Sequence, residues 1–312
     1  MPLPTDSKAL QLSKDVLQAF DNANGGVHQG FRPGHAKGIL LAGAFHPSPD
    51  AATLTRAPHM RAVTPVTARF SDFAGIPTIP DFANEASPRG LAIRFNLAEH
   101  VHTDIVAHSV DNFPARTAEE LIGFLGAIAA TKPDQPHPNA IEQYLGAHPV
   151  ALAFVQVPKP IPSTFARESF FAVSAFKFTA ANGASRYGRY RILPELGNDY
   201  PDAAVSAAKS PDFLFDEIKQ RIVRGPIRFN IVVQLAEAGD PTDNSTVRWP
   251  ENRPKLTLGS LELRSLVPEN DAAQRQIIFD PIPRVDGIES SEDPLFQPRA
   301  DAYLLSGRRR RA

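Results

Sequence analysis

Nine short apolar or alternating runs, at 38–46, 64–71, 90–97, 101–108, 150–157, 169–179, 186–193, 225–236 and 256–266, set the strongest limit on what this chain can fold into. Several alternate with period two, which sends successive side chains to opposite faces of a sheet. Thirty prolines and 19 glycines punctuate the sequence, so the elements are short and joined by ordered turns, and a long-helix bundle is excluded. Helical patterns fall at 7–21, with Asp6 and Ser7 placed to cap it, at 117–130 behind Thr117, and at 138–147, 201–222, 269–276 and 295–310. Strand runs followed by grouped helices favour an α+β fold whose strands close a barrel or fill a sandwich. A domain of this size buries about 75% of its unfolded surface, enough to enclose a cofactor.

Composition narrows the chemistry. With 33 Lys and Arg against 34 Asp and Glu, the net charge is -1, so no global field draws the chain to nucleic acid or to an anionic membrane. No run reaches the roughly 18 apolar residues of a membrane span, and residues 1–8 lack the basic and apolar stretches of a secretory signal. A cytoplasmic protein with no membrane or nucleic-acid partner is expected. The absence of cysteine removes disulfides, thiolate metal ligands and cysteine-based peroxide chemistry together.

Near the C-terminus, Arg299 and Tyr303 are spaced i, i+4, and Arg308–Arg311 follow. On a helix that spacing places guanidinium and phenol on one face. A free phenol titrates near 10, so its use as an iron ligand at neutral pH needs the metal and a neighbouring cation to favour the phenolate. Far upstream, Arg32-Pro33-Gly34-His35-Ala36-Lys37-Gly38 leads into the apolar run 39–45. There follow Arg69-Phe70-Ser71, Ser87-Pro88-Arg89-Gly90-Leu91-Ala92-Ile93-Arg94-Phe95, and Phe279-Asp280-Pro281 ahead of Gly287-Ile288-Glu289.

In this order the segments resemble the haem catalase family, and within it the short catalase-related peroxidases, from about residue 28 to about residue 310. The resemblance implies a catalase-type closed antiparallel β-barrel of about eight strands with flanking helices and a C-terminal helix bearing the haem ligand. It also implies one domain over 1–312, made of a helical arm (1–27), a barrel with inserted helices (28–266) and a wrapping segment with the ligand helix (267–312). The cofactor implied is haem b with ferric iron. Tyr303 matches its axial ligand and Arg299 the cation beside it. Tyrosine as the catalase ligand is a general property of such sites. His35 matches the distal base, and imidazole, with an ordinary pKa near 6.5, suits proton transfer between peroxide oxygens. Ser71 matches the serine bonded to that imidazole. Arg32, Arg69 and Arg310 match propionate-binding arginines, planar fixed charges suited to carboxylates, while Arg308, Arg309 and Arg311 have no assigned role. Phe113 matches an aromatic lying against the porphyrin, near Val106.

The sequence also departs from large catalases. His108 stands where those proteins carry a distal asparagine, exchanging a neutral amide for a titratable ring, and it joins His35 and Ser71 as a catalytic candidate. Ser87 replaces a channel aspartate and Phe73 a smaller valine. The chain stops nine residues after Tyr303, from which more open access to haem is expected. The expected activity is therefore that of a peroxidase. It would reduce hydrogen peroxide or organic hydroperoxides through a ferryl intermediate at the expense of an unidentified small-molecule electron donor, with weak catalase activity. The alternatives are a haem-dependent hydroperoxide lyase or isomerase and a non-catalytic haem-binding barrel. The resemblance also implies a homo-oligomer, with a dimer favoured. A separate reading puts His100, His102 and Asp104 on one strand face as a metal site.

Overall fold

The computed structural model describes residues 3–312; the first two residues of the expected N-terminal arm lie outside it. The strands are β1 (Gly38–Pro47), β2 (Thr64–Ser71), β3 (Gly90–Ala98), β4 (Val101–His108), β5 (Phe170–Phe171), β6 (Phe176–Thr179), β7 (Ser185–Pro194), β8 (Ile227–Leu235), β9 (Lys255–Leu266) and β10 (Ile288–Ser290). The helices are α1 (Ser7–Ala23), α2 (Ala51–Leu54), α3 (Ala118–Ala130), α4 (Ala140–Ala147), α5 (Pro149–Gln156), α6 (Ala203–Ala207), α7 (Phe213–Arg224), α8 (Asn270–Gln276) and α9 (Phe296–Arg311). The antiparallel order β7-β5-β4-β3-β2-β1-β9-β8 returns to β7 through the β7–β8 pairing, so eight strands close a barrel. The β6 and β10 strands extend it beyond β7.

Alternation makes the two faces of the wall different. Val66, Ala68 and Phe70 of β2 join Leu91, Ile93 and Phe95 of β3 and Phe229 and Ile231 of β8 in one apolar core. Phe70 is central there, with its ring 5.3 Å from Phe165, 5.9 Å from Phe170 and 6.0 Å from Phe229. Each such buried side chain contributes roughly 1.5–3 kcal/mol. The residues between them, Arg69 and Ser71 on β2 and their neighbours on β3 and β4, face the other way. A second apolar cluster joins Val16 and Leu17 of α1, Leu121 and Leu125 of α3 and Ala302 of α9. Its helices begin as the sequence anticipates, since Asp6 accepts from the backbone N–H groups of Lys8 and Ala9, and Thr117 from that of Glu120.

Some elements differ from expectation. The run 150–157 falls in helix α5 (Pro149–Gln156) and its C-cap, not in a strand: Pro149 at its first turn is preset for a helix, and a short apolar run carries no period of its own. The run 169–179 breaks into β5 and β6, and its interruption at Ala172–Ala175 supplies cavity wall. Pro211 divides 201–222 into α6 and α7. Among the described residues no helix is long and apolar enough to cross a membrane.

Candidate active site

A cavity of about 1600 Å³, counting its mouth, lies between the outward face of β2–β4 and the layer of α1, α3 and α9. The nine residues matched to the haem site line it: Arg32, His35, Arg69, Ser71, His108, Phe113, Arg299, Tyr303 and Arg310. Val106 and Phe73 line it too.

Strand register builds one wall. Ser71 pairs with Gly90 and Gly90 with His108, while Arg69 pairs with Ala92 and Ala92 with Val106, so two rows cross the sheet on one face. The central residue of the first row has to be glycine. A Cβ on Gly90 would sit 2.5 Å from Ser71 Oγ and 2.7 Å from His35 Nδ1. Gly38 likewise leaves space for the Arg69 guanidinium. Both glycines belong to segments quoted from the sequence, but only the structure shows what occupies the space they leave.

His35 adopts a left-handed backbone, φ 56°, a conformation that costs a non-glycine residue about 1–3 kcal/mol and needs support from its surroundings. That support is visible. The His35 N–H donates to Phe73 O at 2.6 Å and the Ala36 N–H to Ala74 O at 3.0 Å. The facing loop is anchored beneath by an ionic network in which buried Arg89 holds Asp72, and Lys37 holds buried Asp81 at 2.5 Å and the exposed Asp212 at 2.6 Å. The ring of His35 meets Ser71 Oγ through Nδ1 at 3.0 Å and stands edge-on to Phe73 at 5.3 Å. Burial first, then Arg69, His108 and Arg32, pull its pKa down to about 3, so the imidazole is neutral.

Arg32, Arg69 and Arg310 converge without a carboxylate partner among the described residues. Arg32 and Arg310 both donate to Ile277 O, at 3.0 and 2.7 Å, and Arg69 donates to Gln274 Oε1 at 2.9 Å. Burial and then Arg69 and Arg310 lower Arg32; burial and Arg310 bring Arg69 down to about 9; burial, Arg311 and Arg309 bring Arg310 to about 10. No Asp or Glu lines the cavity. Buried cations that repel one another and lack a counter-charge mark a place for an anion.

The opposite wall is α9. Phe296, Arg299, Tyr303, Ser306 and Arg310 follow helical spacing along one face and all line the cavity. The Arg299 guanidinium carbon lies 5.9 Å from the Tyr303 ring centroid. Arg310 donates to Ser306 Oγ at 3.1 Å, and its Nε is buried without a partner. The other terminal arginines act elsewhere, Arg309 on Asp21 of α1 at 2.5 and 2.9 Å and Arg311 on Gln276 O. The proposed His100, His102 and Asp104 site does not form. Asp104 is engaged by Arg94 at 2.7 Å, the His100 side chain is 94% exposed, and no group of three possible ligands occurs among the described residues. Leu17 and Phe20 of α1 and Leu121 and Phe124 of α3 line the cavity but were not evident as site residues. Their amphipathic spacing indicates an inward face without saying what it faces.

A closed eight-stranded barrel whose outer face confronts a tyrosine-bearing C-terminal helix is the catalase-type fold. A family model described as Catalase matches residues 30–312. The chain is 33% identical to a catalase-related peroxidase of Mycolicibacterium paratuberculosis, over 93% of this chain and 92% of the relative, and 32% identical to one of Synechococcus elongatus, over 93% and 86%. A fungal catalase structure superposes with a TM-score of 0.79 at 22% identity, covering 90% of this chain and 59% of that one. The chain belongs to the catalase family.

Proposed function

We propose that the chain is a haem-dependent peroxidase acting on hydrogen peroxide and organic hydroperoxides, with weak catalase activity. The observation that carries the reading is the meeting in one cavity of Tyr303, the neutral His35–Ser71 pair and three buried arginines without counter-charge. The family implies haem, and these residues fit it: an apolar slot for a porphyrin, guanidiniums for two propionates, and a phenol for the iron. The full-length likeness to relatives named catalase-related peroxidase favours peroxidase over catalase.

When bound, haem would supply an iron that receives peroxide and stores oxidising equivalents. The remaining work belongs to side chains. Tyr303 would hold the iron, with Arg299 favouring the phenolate. Arg32, Arg69 and Arg310 would hold the propionates, whose charge would relieve the repulsion that depresses His35. Since His35 Nδ1 faces Ser71 Oγ at 3.0 Å, Nε2 is the nitrogen left to meet peroxide. With a proton on Nδ1 turned toward Ser71, the ring would take a proton at Nε2 from one peroxide oxygen and return it to the other. Phe73, Phe113 and Val106 keep water from that exchange.

The test is spectroscopic. The haem-loaded protein should show a high-spin ferric spectrum with a phenolate ligand, lost in Tyr303→Phe, and should oxidise dye faster than it releases oxygen. A haem-loaded wild-type spectrum unchanged by Tyr303→Phe would overturn the reading. A small-molecule electron donor, a cytoplasmic location and a dimer belong to the same proposal, the last read by sedimentation.

A further inference from the structure

His108 sits at the end of the row Ser71–Gly90–His108, on the same face of the sheet as the serine that engages His35. Its Nδ1 accepts the backbone N–H of Val110 at 3.3 Å. Its Nε2 is fully buried, has no partner and belongs to a ring lining the cavity. A ring nitrogen that accepts an N–H carries no proton, so in a neutral imidazole the proton must be on the other nitrogen. A second proton has no place to go, because on Nδ1 it would confront the Val110 N–H head-on.

The charges around the ring act in the same direction. Arg299 of α9, Lys159 beyond α5 and His35 across the cavity are cationic or neutral, and no carboxylate lines the space. Burial first, then Arg299 and Lys159, bring its pKa down to about 3. Phe113, 6.1 Å away between ring centroids, limits its rotation.

We infer that His108 is a locked Nε2–H tautomer, a positioning residue that presents one neutral N–H donor to a peroxide oxygen and takes no part in proton transfer. The two cavity-lining histidines then divide the work: His35, bonded through Nδ1 to a hydroxyl that can donate or accept, moves protons, and His108 only orients. This rests on the peroxidase reading for its purpose but not for its geometry. One donor and no acceptor suits a neutral hydroperoxide, whose oxygen lone pairs accept the N–H.

Nitrogen NMR of histidine-labelled full-length protein, haem-free and loaded with diamagnetic zinc protoporphyrin, reads the tautomer directly. The signal that disappears in His108→Gln should keep the Nε2-protonated pattern from pH 4.5 to pH 8; an Nδ1-protonated pattern, or titration near 6.5, would overturn the inference. On the haem-loaded enzyme, His108→Gln restores an N–H near the same place and should react with peroxide faster than His108→Leu. His108→Leu should lose about two- to tenfold, the worth of one neutral hydrogen bond, with the pH profile set by His35 unmoved. Equal rates in Leu and Gln variants, or a shifted pH profile in either, would count against it. If wild-type protein takes up no haem, the peroxidase reading fails while the NMR result still decides the tautomer.

Discussion

The space that Gly90 leaves can be filled by a single methyl group. In Gly90→Ala the new Cβ would lie 2.5 Å from Ser71 Oγ and 2.7 and 2.8 Å from His35 Nδ1 and Cε1, about 1 Å inside normal contact. The backbone cannot yield, because Gly90 is paired with Ser71 on one side and His108 on the other. The imidazole must move instead, and the 3.0 Å bond to Ser71 breaks. Losing the bond costs about 1 kcal/mol and overpacking about 1–3 kcal/mol. Reduced freedom of the unfolded chain offsets about 0.5–1 kcal/mol of this. A net destabilisation of about 1–3 kcal/mol follows, measurable by urea unfolding. The effect on reaction is larger, since a catalytic group misplaced by about 1 Å loses about 10²-fold in rate. Stopped-flow absorbance of the haem-loaded variant with hydrogen peroxide measures it. Ser71→Ala, which removes the bond without pushing the ring, should lose only about two- to tenfold. If Gly90→Ala keeps its haem and reacts at the wild-type rate, or if Ser71→Ala is the more damaging change, the row across the sheet does not position His35.

Arg69→Met should raise the urea midpoint of the haem-free protein, because it removes a buried, unpaired cation, while weakening haem binding by roughly 10- to 100-fold, the worth of a charged hydrogen bond; a lower midpoint together with unchanged haem affinity would refute the assignment. Arg309→Ala strands the buried Asp21 carboxylate and should destabilise the fold by about 2 kcal/mol. Because α1 also carries Leu17 and Phe20 into the cavity wall, the same variant should release haem to apomyoglobin faster than wild type. His59, its ring 4.6 Å from that of Phe95 and tilted 42° to it, and its pKa lowered by burial to about 4, makes stability depend on acid. Its folded value lies below the unfolded 6.5, so the unfolded chain takes the proton first, and about 3 kcal/mol present above pH 6.5 is lost as pH falls toward 4. Urea midpoints of His59→Leu should fall less than wild type over that range.

The apolar half of the fold was legible because barrel strands obey a period that the sequence displays: Val66, Ala68 and Phe70 announce an inward face without help from elsewhere. Closure was legible only through the family resemblance and not from the periods themselves, because the β7–β8 pairing joins segments whose register depends on every strand between them. Helix α5 differs from expectation for a related reason, since a short run in which seven of eight residues, 150–157, are apolar displays no clear period. The site presented the opposite problem. Helix α9 turns Arg299, Tyr303, Ser306 and Arg310 into the cavity along one face, so the usual rule that the apolar stripe faces inward fails where function is densest. Its polar residues stood out only through a family resemblance joining segments over 270 residues apart, Arg32 and His35 at one end and Arg310 at the other. The physical reason is that a cavity wall is written for its guest. Arg32, Arg69 and Arg310 satisfy no rule of protein interiors while the protein is considered alone, and propionate carboxylates are what would make the buried charges compatible with a folded chain.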